Sequence, residues 1–263
     1  MKEITRRLWV IAHRGGAALA AENTMAAFRT STEAGADMLE LDVRLTADNH
    51  LVIYHDQDLT RTAGISRRVI DCSLRELQLL DAGSYFNESL AGERISTLPE
   101  VLDWARGRAR LLLDLKLEPH HEAQVIKEIV SRRMEFDVVL GTRSLEALRM
   151  MKSLCPLIRT VSLARSLWAT QDMVDERVEF VRLWHEWITP EHVQRFHDMG
   201  LPVWVMTGGR HSPEAGETTM EELRELRAAA VDGVILNDPT LAIKVNGELF
   251  GVAEQSVVSN LPT

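Results

Sequence analysis

The sequence predicts an α/β fold: a (β/α)8 TIM barrel with a small insertion subdomain after its second strand. Three observations lead there. Short apolar runs alternate with longer amphipathic segments, the pattern of a parallel sheet with helical crossovers. There are eight such runs in 263 residues, the length and count of one barrel. Polar residues interrupt the runs near their C-terminal ends, where a barrel assembles its chemistry. A doubly wound open sheet shares the alternation, and periodicity alone does not separate the two.

The runs, in order, are LWVIAH (8–13), MLELDV (38–43), LLLDLK (111–116), DVVLGT (137–142), IRTVSL (158–163), FVRLW (180–184), PVWVMT (202–207) and DGVIL (232–236). Helix-like stretches such as NTMAAFRTSTEAG, HEAQVIKEIVSRR and SLEALRMMKSL lie between them. One connection, 57–98, is too long for a plain loop and reads as the insertion. The Gly-rich loop 208–219 follows the seventh run and is expected over the same face. No linker divides the chain, so 1–263 reads as a single domain.

A hydrophobic content of 45% allows a large core. The formal charge is −9 and no basic stripe accumulates, which argues against nucleic acid as a partner. Cys72 and Cys155 follow no ligand spacing and read as free thiols. The first apolar run ends in His-Arg rather than a small-residue cleavage site, and no run approaches a membrane span. The expectation is a cytoplasmic protein with no integral membrane segment.

Alternation within a strand gives the acids their meaning. In MLELDV, Leu39, Leu41 and Val43 share one face, and Met38, Glu40 and Asp42 share the other, which points into the barrel. In LLLDLK the inward set is Leu112, Asp114 and Lys116. Buried carboxylates this close repel and lose hydration, so something cationic must compensate. An all-oxygen cluster suits one hard divalent cation, Mg2+ or Ca2+. His13 ends the first run and His55 ends LVIYH, placing an acid and a base at the mouth. Arg14 and Lys116 could hold an anionic group, and the glycines of HRGG let backbone approach it. Together these residues describe phosphoryl chemistry on a small-molecule phosphodiester.

AHRGG (12–16), ENTMAAF (22–28), GADMLELDVRLTADNHLVIYHDQDLTRT (35–62), STLPEVLDW (96–104), DLK (114–116) and DGVILNDP (232–239) together resemble the glycerophosphodiester phosphodiesterase family, from about residue 8 to about residue 245. The resemblance implies a metal-dependent phosphodiesterase that releases an alcohol and glycerol 3-phosphate. It puts the metal on Glu40 and Asp42, the paired catalytic histidines on His13 and His55, and the phosphate on Arg14. The third metal ligand is usually Glu in Glu-x-Lys and here is Asp114. Ala21 stands where Pro usually precedes Glu-Asn. The usual Trp-Thr-Val-Asn reads WVMT, so Trp204 is kept as a candidate substrate-lining residue and Thr207 replaces Asn. Glu22 reads either as an acid near a helix start or as a partner of Arg14. Two alternatives stay open: the same chemistry on a lysophospholipid or a sugar or opine phosphodiester, and a catalytically silent barrel that binds a phosphoester.

Overall fold

The computed structural model describes residues 6–117, 120–208 and 214–258, with side chains as far as Leu249. The chain enters through β1 (Trp9–Ala12), makes a 3-10 turn at His13–Gly15, and continues into α1 (Met25–Ala34) and β2 (Met38–Leu45). β3 (Leu51–Ile53) then folds back antiparallel on the end of β2, pairing Val43 with Ile53 and Leu45 with Leu51. The insertion follows, with β4 (Asp58–Leu59), α2 (Thr60–Ala63), β5 (Ile65–Arg68) and α3 (Leu74–Leu77). From α4 (Leu98–Ala105) the alternation is regular. It runs through β6 (Arg110–Leu115), α5 (Glu122–Ser131), β7 (Val138–Thr142), α6 (Leu145–Leu154), β8 (Arg159–Ser162) and α7 (Leu167–Asp175). It ends with β9 (Phe180–Trp184), α8 (Pro190–Asp198), β10 (Val203–Met206), α9 (Met220–Ala228), β11 (Gly233–Leu236) and α10 (Pro239–Val258).

The eight predicted runs are the eight parallel strands of a closed barrel. β1 pairs with both β11 and β2, and the ring continues through β10, β9, β8, β7 and β6 back to β2. The open-sheet alternative is thereby excluded. Side chains sort as alternation requires. Leu39, Leu41, Val43, Leu111 and Leu113 pack outward with Phe28, Val101 and Ile129 of the helices. Ile11, Met38, Leu112, Val139, Val161 and Ile235 fill the interior. Each such buried side chain contributes about 1.5–3 kcal/mol. Ser and Thr side chains cap α1, α4, α6, α7, α8 and α9. Thr97 with Glu100, and Thr219 with Glu222, form reciprocal capping boxes that satisfy otherwise orphaned N–H groups.

The insertion packs a small apolar cluster of Leu59, Val69, Cys72, Leu77, Ala82 and Ile95 against Val52 and Tyr54 of the β3 arm. Both cysteines are buried and free, as the spacing predicts. Among the described residues, no helix is long and apolar enough to cross a membrane. Of the loop expected over the mouth, 209–213 lie outside the described residues, as does Glu118.

Candidate active site

The site begins with the backbone of HRGG. Arg14 is held in the left-handed region, φ 51°, where a side chain is strained. Two contacts fix it there: its N–H donates to Glu40 Oε2 at 2.8 Å, and its carbonyl accepts from Asn23 N at 2.8 Å. Gly15 cannot carry a side chain, because a Cβ would lie 2.4 Å from the Phe28 ring. The turn is therefore pressed onto α1 and aims Arg14 over the barrel mouth.

Glu40, Asp42 and Asp114 converge as alternation predicts. All three are buried, and each offers an oxygen within 4.8 Å of the others. Lys116 Nζ lies 2.9 Å from Asp42 Oδ1 and 3.8 Å from Asp114 Oδ2. Asn23 Nδ2 donates to Asp42 Oδ2 at 2.9 Å. Burial, then the charges of Asp42 and Asp114, hold the Glu40 carboxyl well above the usual carboxylate range. Burial pushes Asp42 the same way, but Lys116, His55 and Arg14 outweigh it and its carboxyl stays below that range. Three adjoining buried acids thus repel one another for want of positive charge, which is the electrostatic condition a divalent cation relieves. An all-carboxylate donor set suits Mg2+ or Ca2+.

His55 does not sit on a barrel strand. It follows β3, which returns to the mouth, so that Tyr54 N donates to Asp42 O at 2.9 Å. His55 Nδ1 lies 2.6 Å from Asp56 Oδ1, and Arg14 Nη2 donates to His55 Nε2 at 2.8 Å. Arg44 donates Nε and Nη2 to the His55 carbonyl at 2.9 and 2.6 Å. Glu22 accepts from Arg14 Nη1 at 3.1 Å and from Arg61 Nη2 at 2.6 Å, while Arg61 Nε donates to Asp56 Oδ2 at 2.7 Å. His55, Asp56, Arg61, Glu22 and Arg14 thereby close a ring. Between the two readings of Glu22, the geometry pairs it with Arg14. Tyr85 of the insertion adds a lid to this ring, its hydroxyl accepting from Glu22 N at 3.1 Å.

His13 faces the cluster from β1, with Nε2 4.0 Å from Glu40 Oε2. Its Nδ1 lies 2.7 Å from Asn237 Oδ1. Gly216 is required beside this pair, since a Cβ there would sit 2.6 Å from His13 Nδ1. Burial, then Arg14, pulls His13 down to about 4. Burial also lowers His55, against the attraction of Asp42 and Asp56.

Trp204 does not join the others. It pairs with Gly233 at the start of β11 and stacks on Phe180, ring centroids 4.3 Å apart, so it fills the barrel interior at the end away from the mouth. The resemblance offers Trp204 as a substrate-lining candidate through the WVMT motif, but its register, three residues before Thr207 and opposite Gly233, sets it deep in the barrel. Conversely, the sequence reading does not single out Asn23, Asn237, Arg44, Arg61, Arg143 or Arg182, and assigns no role to Asp56. Asn23, Arg61 and Asn237 lie inside the quoted motifs. Arg182 is a charge at an inward position of an apolar run, the same signal that exposes Glu40.

Comparison with known proteins agrees with this geometry. Residues 13–241 match the model of the glycerophosphoryl diester phosphodiesterase family. A glycerophosphodiester phosphodiesterase of Caldanaerobacter subterraneus subsp. tengcongensis is 34% identical over 244 residues, 90% of this chain and 96% of its own. One from Bacillus altitudinis is 27% identical over 251 residues, 91% of this chain and 98% of its own. The crystal structure of glycerophosphodiester phosphodiesterase from Agrobacterium tumefaciens superposes with a TM-score of 0.76 at 26% identity, covering 92% of this chain and 99% of that one. The chain belongs to the glycerophosphoryl diester phosphodiesterase family.

Proposed function

We propose that this protein hydrolyses glycerophosphodiesters to an alcohol and glycerol 3-phosphate, with His13 and His55 as the acid–base pair. The observation that carries the reading is the convergence of two histidines, three buried carboxylates and two cationic side chains, Arg14 and Lys116, at one barrel mouth. Glu40, Asp42 and Asp114 would hold one divalent cation, Mg2+ or Ca2+. That ion supplies Lewis-acid polarisation of a phosphoryl oxygen.

Arg14 and Lys116 orient the phosphoryl group and neutralise its charge. Arg14 is prepared for this: its Nε is buried without a hydrogen-bond partner, 4.0 Å from Asp42 Oδ2, and its Nη2 rests on His55. An anion that draws Arg14 away frees His55 Nε2 for the reaction. Asp56 supports an imidazolium on His55, whereas the Asn237 amide oxygen offers His13 no full charge. We therefore assign His13 as the base that takes the proton of the attacking hydroxyl or water, and His55, once Arg14 has left and its Nε2 has taken up a proton from solvent, as the acid that protonates the leaving alcohol. Glu22 and Arg61 hold Arg14 and Asp56 in place.

We read 1–263 as one phosphodiesterase unit, with 57–98 as an insertion that buttresses the site, and its place as the cytoplasm. The test is turnover of glycerophosphocholine with EDTA, and again with Mg2+ or Ca2+ restored. Release of glycerol 3-phosphate that chelation removes and metal returns is expected. Metal binding without turnover would move the search to lysophospholipid, sugar or opine phosphodiesters. Absence of turnover on all of these would leave the silent barrel.

A further inference from the structure

Asp114 stands where the resemblance puts a third metal ligand, yet a cation already grips it. Arg143, the first residue past β7, donates Nη1 to Asp114 Oδ1 at 2.6 Å and Nη2 to Oδ2 at 2.8 Å. This two-pronged pairing is the strongest geometry a guanidinium and a carboxylate can adopt. The barrel itself sets it up. Asp114 pairs in register with Gly141, and Arg143, two residues on, points to the same side of the strand line. Arg143 is further drawn in by Asp42 and Glu40. A second cation lies nearby: Arg182, 2% exposed, sits over the Trp184 ring, repelled by Arg143 and attracted by Asp114 and Glu40. Its Nε and Nη1 have no hydrogen-bond partner among the described residues.

A divalent ion bound to Asp114 would sit roughly 2.0–2.6 Å from its oxygen. A guanidinium nitrogen at 2.6 Å from the same carboxylate would then face it as a like charge in a buried pocket, where screening is weak. We propose that Arg143 competes with the divalent cation for Asp114, so that the two exclude one another there and Arg143 sets the affinity of the site. This rests on the reading of Glu40, Asp42 and Asp114 as the metal site. The displaced side chain has somewhere to go, because Arg143 borders a cavity of about 230 Å3 walled by Leu115, Thr142, Ala147 and Met150.

The test is Mn2+ affinity by isothermal titration calorimetry on the full chain, compared among wild type, Arg143→Gln, Arg143→Lys, Asp114→Asn and the Arg143→Gln/Asp114→Asn double variant. Arg143→Gln should bind Mn2+ at least tenfold more tightly than wild type. Arg143→Lys, whose single ammonium cannot match both oxygens, should gain several-fold. In the Asp114→Asn background, removing Arg143 should gain less than twofold. An equal gain in both backgrounds would mean that only net charge matters, and would overturn the competition. No gain in either Arg143 variant would do the same while leaving the metal site standing. Absence of Mn2+ binding by every variant would overturn this proposal and the metal reading together.

Discussion

Arg14 and His55 occupy each other in the resting site, Nη2 to Nε2 2.8 Å. In the proposed reaction, the group that would hold the phosphate therefore also masks the ring nitrogen that would exchange a proton. Replacing Arg14 with Lys keeps a charge but loses the fork that reaches His55 and Glu22 together. We expect Arg14→Lys to raise KM for glycerophosphocholine by about tenfold or more, with Mn2+ affinity unchanged. An unchanged KM would separate Arg14 from the substrate.

His55 owes its orientation to Asp56, and Asp56 is fixed by Arg61. Asp56→Asn removes the charge that favours the imidazolium, and should lower kcat by ~10²-fold or more, within the range that acid–base groups supply. Arg61→Gln should lower kcat less and also raise KM, because Glu22 and hence Arg14 lose their anchor. Steady-state kinetics of both variants decide this. A fall in KM for Arg61→Gln would contradict the ring as a brace.

The carboxylates should fail as a set. Glu40→Ala or Asp42→Ala is expected to remove Mn2+ binding and turnover together, read by calorimetry and by glycerol 3-phosphate release. Full activity of either variant in chelator-stripped buffer would exclude metal from the reaction.

The insertion predicts a pH dependence of stability. Asp81 accepts from the N–H groups of Gly83, Ser84 and Gly92, which lowers its carboxyl to about 2. Its folded value lies below the usual one, so its stabilisation is complete above about pH 4 and is lost as pH falls towards 2. Asp81→Ala should therefore lower the Tm at neutral pH, and the gap to wild type should close between pH 4 and 2. A gap independent of pH would assign the loss to something other than the charge.

Trp204 supplies the contrast. Because it lies deep in the barrel against Phe180, Trp204→Phe should cost about 1–3 kcal/mol of stability through imperfect packing and leave KM within about twofold. A large rise in KM would return it to the substrate site.

What the sequence disclosed, and what it hid, divides along a physical line. The strands were legible because alternation of Leu with Glu40, Asp42 and Asp114 is a local code that depends on two-residue spacing alone. His13 and Arg14 were legible because they end a strand. The partners of those residues were not. Asn237 reaches His13 across 224 positions, and Arg61 reaches Glu22 across 39, contacts that exist only once the barrel closes and the insertion docks. Arg143 falls between: it follows a strand end, where chemistry is expected, but nothing local reveals that its fork matches Asp114. Trp204 misled because a motif fixes residue type and order but not depth along the barrel axis.

The separate apolar cluster of the insertion has a consequence for how the enzyme fails. Tyr85 and Arg61 belong to the insertion, which shares with Val52 and Tyr54 an apolar cluster separate from those of the barrel, and both reach the site through Glu22. Units of this kind can open without the rest of a molecule following. Heating or brief proteolysis should then silence the enzyme while the far-ultraviolet circular dichroism of the barrel still looks intact, making lost turnover an early warning of unfolding rather than its companion.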